Sequence, residues 1–275
     1  MLQDIAPRQY HVEYTPCEPT EKSPCFVFRD REILETLRAG TVALPTWREL
    51  RNYVGEPRFL FRIDDEAYFQ AELTGETIPD GFDWRDLRGD RQGKSKPLHF
   101  AETTAYHLSV WYRDNRYCGR CGDRTRQDRK ERMLRCPKCG NMIFPRIAPA
   151  VIVAVTDGDR LLMTRYQGRP YKGLALIAGF NEVGETIEDT VRREVMEEVG
   201  LHVTDIRFCG SQPWGSEANL LLGFFARLEG SAEIHLDRFE LSQAGWYARE
   251  EIDIEFDDYS LTNDMMTAFK EGRWT

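Results

Sequence analysis

The sequence lacks an apolar run long enough to span a membrane, and no basic-then-apolar leader follows Met1. We therefore expect a protein without a membrane segment or a secretory signal. It also lacks internal repeats and low-complexity segments. Positive charge is scarce as well, because 37 Lys and Arg residues face 46 Asp and Glu residues, for a net charge of −9. This balance argues against a dedicated duplex-DNA binder.

Hydrophobic residues make up 41% and charged residues 30% of the 275 residues, which is typical of a soluble globular protein. Four of the seven cysteines form two CxxC pairs, Cys118–Cys121 and Cys136–Cys139, with fourteen residues between them. This spacing predicts a closed, structural zinc site of the ribbon type. A redox motif would not come as a matched pair. Disulfides are disfavoured by three further cysteines (Cys17, Cys25, Cys209) and by the missing signal, so we expect a reduced, cytoplasmic setting.

The predicted ribbon is basic. Residues Arg116–Lys138 contain nine Lys and Arg residues against Asp123, Asp128 and Glu131. Even after zinc and four thiolates are counted, the segment keeps a positive charge in an acidic protein. Such a patch could attract a nucleotide or an RNA end, or it could be an ordinary solvated face.

The most informative pattern lies between Gly179 and Leu201. Thr186, with Asp189 three residues later, predicts a helix start, and Gly200 predicts a left-handed stop. One apolar stripe faces a core, at Ile187, Val191, Val195 and Val199. Three acids share an arc that flanks this stripe, at Glu194, Glu197 and Glu198.

Three carboxylates on one half-buried arc repel each other unless a cation lies among them. Oxygen ligands without His or Cys favour Mg²⁺ or Mn²⁺. Arg193 can orient a neighbouring acid, and Glu185 is the best placed. The alternative is a charged surface helix with fortuitous spacing.

Gly179, Glu185 and the run Arg193–Leu201 match the Nudix box, so the chain resembles the Nudix hydrolases. These enzymes split a diphosphate linked to another moiety by attack of water at phosphorus. The implied metal-binding groups are the carboxylates of Glu194, Glu197 and Glu198 and the carbonyl of Ala178. Glu198 would also help to activate water, with Glu197 as the alternative base, and Arg193 and Glu185 complete the implied catalytic set.

A ribbon before the box and a Ser-Gln-Pro-Trp run after it resemble the NADH pyrophosphatase (NAD⁺ diphosphatase) branch, from Tyr106 to about Glu251. The resemblance implies that Phe144 and Phe180 stack on the nicotinamide, although both could be core residues. It implies substrate contacts from a loop, at Ser211, Gln212, Pro213, Trp214, Gly215, Ser216, Glu217 and Ala218. Glu240 would be a further metal ligand. Such relatives act as homodimers.

The loop departs from the branch pattern, because Gly215-Ser216-Glu217 stands where Pro-Phe-Pro is expected. Losing two prolines reduces rigidity. ADP-ribose, FAD or a coenzyme A therefore remains an alternative to the leading substrates, NADH and NAD⁺, whose cleavage gives nicotinamide mononucleotide and AMP. NAD-capped RNA carries the same bond. A third alternative is an RNA-binding module without hydrolysis.

The basic residues Arg165, Arg169 and Lys172, which precede the box strand, could contact phosphates or be ordinary loop charges.

The predicted fold is α+β in three parts. An N-terminal α+β domain (1–105), which the resemblance suggests is a decayed Nudix copy, precedes the zinc ribbon (106–145) and a Nudix α/β/α sandwich (146–275). The strands expected from pattern are 26–28, 59–63, 67–71, 150–155, 160–165, 174–178, 220–228 and 245–248. The helices expected are 30–37, 103–115, the box helix and 261–271, with a connecting loop at 89–97.

Overall fold

The structure is a computed structural model that describes residues 1–88, 91, 93–168 and 171–274. The chain forms two compact units. The N-terminal unit contains Gln3–Arg146 together with Gly215–Ala218, and the C-terminal unit contains Met1–Leu2, Ile147–Trp214 and the residues from Asn219 on. Among the described residues, no helix has both the length and the apolar character of a membrane span.

The N-terminal unit is built mainly from short strands. In chain order its elements are β1 (Tyr10–His11), β2 (Cys25–Phe26), β3 (Phe28–Arg29), β4 (Glu32–Arg38), β5 (Thr41–Ala43), α1 (Trp47–Leu50), β6 (Arg58–Ile63), β7 (Glu66–Gln70), β8 (Asp83–Asp86), α2 (Lys96–Asp114), β9 (Arg126–Gln127), β10 (Leu134–Arg135) and β11 (Met142–Ile143). One sheet has the order β1-β6-β7-β2, a second joins β3, β4, β5 and β8, and a third has the order β11-β10-β9. The strands predicted at 59–63 and 67–71 are confirmed as β6 and β7, whereas the strand predicted at 26–28 is divided between β2 and β3, which belong to different sheets.

The helix predicted at 30–37 is wrong, because this segment is strand β4. Asp30 has a left-handed backbone, φ 51°, which forms the turn between β3 and β4. Ile33 and Leu34 are both fully buried, although they are neighbours on opposite faces of the strand. The apolar residues Ile33, Leu34 and Leu37 also have the spacing of one helix face, so periodicity alone does not separate this strand from a helix.

Helix α2 begins earlier than predicted, at Lys96 rather than at 103. The Ser95 hydroxyl accepts a hydrogen bond from the Leu98 N–H, and Pro97 lies in the first turn, where proline is tolerated. The predicted loop therefore ends before Lys96, and its residues 89, 90 and 92 lie outside the described residues. The helix also crosses the predicted domain boundary at 105/106, whereas the compact unit continues to Arg146. The three-part division stays a prediction.

The C-terminal unit contains one six-stranded sheet and two helices. Its elements are β12 (Ala148–Asp157), β13 (Arg160–Tyr166), β14 (Ile177–Phe180), α3 (Ile187–Val199), β15 (His202–Trp214), β16 (Asn219–Glu229), β17 (Leu241–Ala248) and α4 (Leu261–Lys270). The strand order is β15-β16-β12-β13-β17, and β14 pairs with β12. Strands β12 and β16 are parallel, with Ala148 opposite Asn219, whereas the other pairs are antiparallel.

The two faces of β12 pack against different helices. Val151, Val153 and Val155 belong to the core cluster that contains the α3 valines. Ile152 and Ala154, which point the other way, belong to a second cluster with the α4 residues Leu261, Met265 and Phe269. The sheet is therefore covered by a helix on each face, which confirms the predicted α/β/α sandwich.

Two predicted elements of this unit need correction. The strand expected at 174–178 is displaced, and β14 covers Ile177–Phe180. The loop expected from Ser211 to Glu217 is wrong for its first half, because Ser211–Trp214 end the thirteen-residue strand β15 and pair with β16. Only Gly215–Glu217 turn, as one short 3₁₀ segment. Residues 202–214 have a mixed polar composition that does not predict a strand, and it is the pairing with β16 that makes this segment extended.

Candidate active site and zinc site

Helix α3 has the ends that its sequence predicts. The Thr186 hydroxyl accepts a hydrogen bond from the Asp189 N–H at 3.2 Å. Gly200 has φ 68°, and its N–H donates to the Met196 carbonyl at 2.9 Å. Val191, Val195 and Val199 are fully buried, so the apolar stripe fixes which side of the helix faces the sheet.

The three box acids differ in burial. Glu194 and Glu198, one helical turn apart, are 9% and 2% exposed, whereas the side chain of Glu197 is 59% exposed. Burial raises the pKa of the Glu194 carboxyl, and the Arg193 guanidinium works in the opposite direction. Two buried carboxylates on one helix face are the unusual feature of this site, because ordinary surface helices expose their acids.

Arg193 joins the acids to the strand before the helix. Its Nε and Nη2 donate to the two Glu185 carboxylate oxygens at 2.8 and 2.9 Å. Its Nη1 donates to Glu194 at 2.8 Å and Glu197 at 2.9 Å, and Nη2 also donates to the Phe180 carbonyl at 2.9 Å. The predicted contact with Glu185 is therefore present. These hydrogen bonds lower the pKa of Glu185 to about 2.

Thr190 and Asn181 complete this network, and sequence reasoning missed both. The fully buried Thr190 donates from Oγ1 to Glu185 Oε2 at 2.8 Å. The Asn181 amide donates to Thr190 Oγ1 at 2.8 Å and to the Glu185 carbonyl at 3.1 Å. The one available signal was a threonine in the apolar face of α3, four residues after the N-cap.

Gly179 leaves room for the Glu194 carboxylate. A Cβ at this position would lie 1.8 Å from the carboxyl carbon of Glu194 and 2.0 Å from one of its oxygens. The glycine precedes Phe180 in β14, whose Ala178 is opposite Ile152 of β12. The Nudix-box glycine is thus required by the close approach of an acid to the backbone rather than by a left-handed turn.

Glu240, the predicted additional ligand, is exposed just before β17. Burial is the main cause of the raised pKa of Glu194, and the charges of Glu197 and Glu240 raise it further. Glu240 is therefore near enough to act electrostatically on the buried acid. Its carbonyl also accepts a hydrogen bond from the Gln167 N–H at 2.8 Å.

The donor set around α3 fits a hard divalent cation. All candidate ligands are oxygens, two of the carboxylates are buried, and the space at Gly179 holds one of them. The carboxylates have not converged, since within the described ranges only the four ribbon cysteines bring three or more ligand atoms within 4.8 Å of one another. Arg193 neutralises Glu194 and Glu197 in this arrangement.

The four ribbon cysteines do converge. Cys118 Sγ lies 3.6 Å from Cys139 Sγ, and Cys121 Sγ lies 3.4 Å from Cys136 Sγ. Thiolates on a tetrahedral zinc, each at about 2.3 Å from the metal, would be about 3.8 Å apart. Gly122 and Gly140, with φ 75° and 73°, close equivalent turns after the two CxxC pairs. The Arg120 N–H donates to Cys118 Sγ, a hydrogen bond that favours the thiolate form of this ligand.

Phe144 and Phe180 are not core residues. Phe144 is 51% exposed in the N-terminal unit, and Phe180 is 54% exposed in the C-terminal unit. The core alternative for both is therefore wrong. An exposed aromatic face of this kind is free to stack on a flat base.

Gln212 has a structural role that the sequence did not reveal. Its side chain is fully buried, Nε2 donates to the Tyr259 carbonyl at 2.6 Å, and Oε1 accepts from the Leu261 N–H at 2.8 Å. The amide therefore holds the start of α4, and we withdraw it as a substrate contact. Ser211 and Trp214 are half-buried, and Pro213 is exposed.

Gly215–Ala218 belong to the N-terminal unit. A Cβ at Gly215 would lie 2.3 Å from the Thr103 carbonyl oxygen of α2, so only glycine fits. Glu217 pairs with Arg31 at 3.0 Å and also with Arg88, so its carboxylate is already engaged. A cavity of about 400 Å³ lies beside this turn, against α2.

Of the basic residues that precede the Nudix box, Arg165 donates to the Lys172 carbonyl, and Arg169 lies outside the described residues.

Comparison with known proteins agrees with this geometry. The NUDIX domain model matches residues 146–265, and the NADH pyrophosphatase zinc ribbon domain model matches residues 113–144. A Pseudomonas aeruginosa protein named NAD-capped RNA hydrolase NudC is 39% identical over 214 residues, covering 78% of this chain and 73% of that protein. A Pseudomonas putida protein of the same name is 37% identical over 185 residues, 67% of each chain. A NUDIX hydrolase crystal structure from Nitrosomonas europaea aligns with a TM-score of 0.47 at 22% identity, covering 57% of this chain and 92% of that one.

Helix α3 carries two buried glutamates and follows the strand that contains Gly179, and its α/β/α sandwich follows the four-cysteine ribbon in the chain. These features together define a pyrophosphatase of the Nudix class. The chain belongs to the Nudix hydrolase family, in the branch that carries the NADH pyrophosphatase zinc ribbon.

Proposed function

We propose that this chain hydrolyses the diphosphate of NADH or NAD⁺ to nicotinamide mononucleotide and AMP, and that it also removes NAD caps from RNA 5′ ends. The observation that carries the proposal is the buried pair Glu194 and Glu198 beside Gly179, in a domain preceded by the cysteine ribbon. The relatives named NAD-capped RNA hydrolase supply the substrate class.

Mg²⁺ or Mn²⁺ would be held by Glu194, Glu197 and Glu198 with the Ala178 carbonyl and Glu240. Bound there, the ion would neutralise the charge of the diphosphate oxygens. Glu198 is the preferred base, because it is buried, whereas Glu197 is exposed and engaged by Arg193. Glu198 would take the proton of the attacking water, and Arg193 with Glu185 would keep the neighbouring acids in place.

Phe180, whose ring is half-exposed, would stack on the base of the dinucleotide. Phe144, also half-exposed, stays a separate candidate for stacking. Trp214, Ser211 and Pro213 at the end of β15 would add contacts. The alternative substrates, ADP-ribose, FAD or a coenzyme A, remain because Gly215-Ser216-Glu217 stands where the branch pattern has Pro-Phe-Pro. A dinucleotide panel at equal concentration decides, and strong ADP-ribose turnover beside negligible NADH turnover would favour the alternative.

Two features of the assembly belong to this proposal. The chain would act as a homodimer, for which the edge strand β15 with its half-exposed Phe208 offers surface. It would act in the cytoplasm, since all seven cysteines are unpaired with one another. Light scattering after gel filtration measures the oligomeric state, and a monomer at assay concentration would contradict the homodimer.

The test of the function is AMP release from NADH with Mg²⁺ or Mn²⁺ by wild type and by Glu198→Gln. We expect a loss of at least ~10²-fold, because the variant removes both a ligand and a base. Glu188→Gln, which changes an exposed acid in the first turn of the same helix, is the matched control. Equal rates for wild type and Glu198→Gln would refute the mechanism. RNA binding without any hydrolysis would instead support a binding module.

A further inference from the structure

One face of the small ribbon sheet carries an unusual row of side chains. In this sheet Arg135 of β10 is opposite Arg126 of β9 on one side and Met142 of β11 on the other. Directly opposite residues of antiparallel strands project from the same face. All three are exposed, whereas Leu134, on the other face, is buried.

The row continues beyond the paired strands. Tyr117 forms an isolated antiparallel bridge with Arg124, which precedes Arg126 by two residues. Phe144 follows Met142 by two residues, so alternation of an extended chain places it on the same side. We call this set the ribbon face, and it consists of Tyr117, Arg124, Arg126, Arg135, Met142 and Phe144. Its apolar members are 66%, 52% and 51% exposed, for Tyr117, Met142 and Phe144.

The charges of the ribbon face are poorly compensated. Throughout the described chain, no carboxylate lies within 4.0 Å of the Arg124 or Arg126 guanidinium, and Arg135 has only Asp128, at 3.8 Å. Like charges placed directly across two strands are destabilising. The arrangement therefore raises the free energy of the isolated fold, and an anion beside the two arginines would lower it.

Cations alternating with exposed flat or apolar side chains match single-stranded nucleic acid. Guanidinium groups neutralise phosphates, and aromatic rings stack on unpaired bases of any sequence. A duplex offers phosphates, but its bases are stacked and leave no face free for an aromatic ring. The net charge of −9 also argues against a protein that binds polyanions over its whole surface. The chemistry points to a short single strand held on a local basic face.

We propose that the ribbon face binds the single-stranded RNA chain that follows the NAD cap, with Arg124, Arg126 and Arg135 on phosphates and Tyr117 on a base. This rests on the proposed function, and it names what distinguishes capped RNA from the free dinucleotide. NADH has no such chain, so Tyr117 and the three arginines contribute only to the larger substrate. The zinc site, by holding the strands, would then be a support for RNA binding.

The test compares kcat/KM for NAD-capped single-stranded RNA and for NADH in the variant Arg124→Gln/Arg126→Gln/Arg135→Gln. Three phosphate contacts on a single strand predict a slope of about −2 for log kcat/KM against log salt, or about a 20-fold fall between ~50 and ~200 mM KCl. The variant should lose this excess slope and at least about 10-fold of kcat/KM on capped RNA at low salt, through KM. Its NADH hydrolysis should be unchanged.

A charge-matched control is Arg8→Gln/Arg38→Gln/Arg48→Gln, which changes three exposed arginines of the same unit outside the ribbon. Equal losses in the two triple variants would overturn the proposal, because net charge alone would then explain them. Tyr117→Ala should weaken capped-RNA use by about 5-fold or more without changing the salt slope. Equal use of a capped duplex and a capped single strand would also overturn it.

Failure of the proposed function gives a different result. If wild type hydrolyses neither NADH nor capped RNA, that function is wrong, and binding of an uncapped 5′-phosphorylated RNA, followed by fluorescence anisotropy, still tests the ribbon face. Weaker binding by the ribbon variant than by the control variant would support the face. Identical binding by wild type and both variants would reject it and leave an acidic protein as the partner to seek. Zinc content and thermal unfolding check that each variant is folded.

Discussion

Gly179→Ala tests whether the position of the Glu194 carboxylate sets the rate. The added Cβ would lie 1.8 Å from the carboxyl carbon and 2.0 and 2.2 Å from the two oxygens. Carbon atoms come into favourable contact only near 3.5 Å, so the carboxylate must move by roughly 1.7 Å. The backbone itself cannot move away easily, because β14 is paired residue by residue with β12.

The expected loss follows from this displacement. A reacting or ligating group misplaced by about 1 Å can cost about 10²-fold in rate, which equals about 2.7 kcal/mol of transition-state stabilisation. Arg193 would follow the displaced carboxylate, because its Nη1 donates to Glu194 at 2.8 Å. The hydrogen bonds from Arg193 to the Glu185 carboxylate would then weaken as well. We therefore expect kcat/KM for NADH to fall by about 10²-fold while the protein stays folded.

The assay is AMP release under Mg²⁺ or Mn²⁺, with thermal unfolding measured in parallel. Gly75→Ala is the control, because a Cβ there has nothing within 4 Å. The double variant Gly179→Ala/Glu194→Asp shortens the crowded side chain, so its loss should be smaller than the product of the two single losses. A wild-type rate for Gly179→Ala would refute the reasoning, and so would multiplicative losses in the double variant.

Three further predictions concern stability. The pKa of Glu185 is held at about 2, below its ordinary value, so the ionised carboxyl stabilises the fold above that ordinary value and this stability is lost as pH falls toward 2. The difference in Tm between wild type and Glu185→Gln should therefore shrink from neutral pH to about pH 2, and a constant difference would contradict it. Cys136→Ser should abolish zinc binding, seen by metal analysis, and lower Tm; unchanged zinc content would count against the four-thiolate site. Gln212→Ala should cost about 2 to 4 kcal/mol in denaturant unfolding, because two buried backbone groups lose their partner, with kcat/KM in the still-folded protein nearly unchanged.

The elements predicted correctly are those whose signals are local. The cap at Thr186, the stop at Gly200 and the valine stripe all act within α3, so the helix and its buried side could be derived from residues three or four apart. The same holds for the ribbon, whose two CxxC turns each bring a pair of thiols together. Strands with alternating or apolar patterns, such as β12, were also found.

The errors arise where distant partners decide the structure. Strand β4 was expected to be helical, because its burial on both faces comes from neighbouring elements of the unit. The end of β15 was expected to be a loop, because its pairing with β16 and the bonds of Gln212 to Tyr259 and Leu261 lie far along the chain. No pattern within Ser211–Trp214 contains those partners.

Residue types and their spacing were enough to predict three carboxylates on one helix, two cysteine pairs at zinc spacing, and the order of ribbon and box. These follow from residue type and from spacing along a helix or a turn, which are local properties. The folded contacts were needed to show which acids are buried, why Gly179 must lack a side chain, and that Glu217 and Gln212 are engaged within the fold. Those outcomes depend on contacts between segments far apart in the chain, and spacing along the chain carries no record of such contacts.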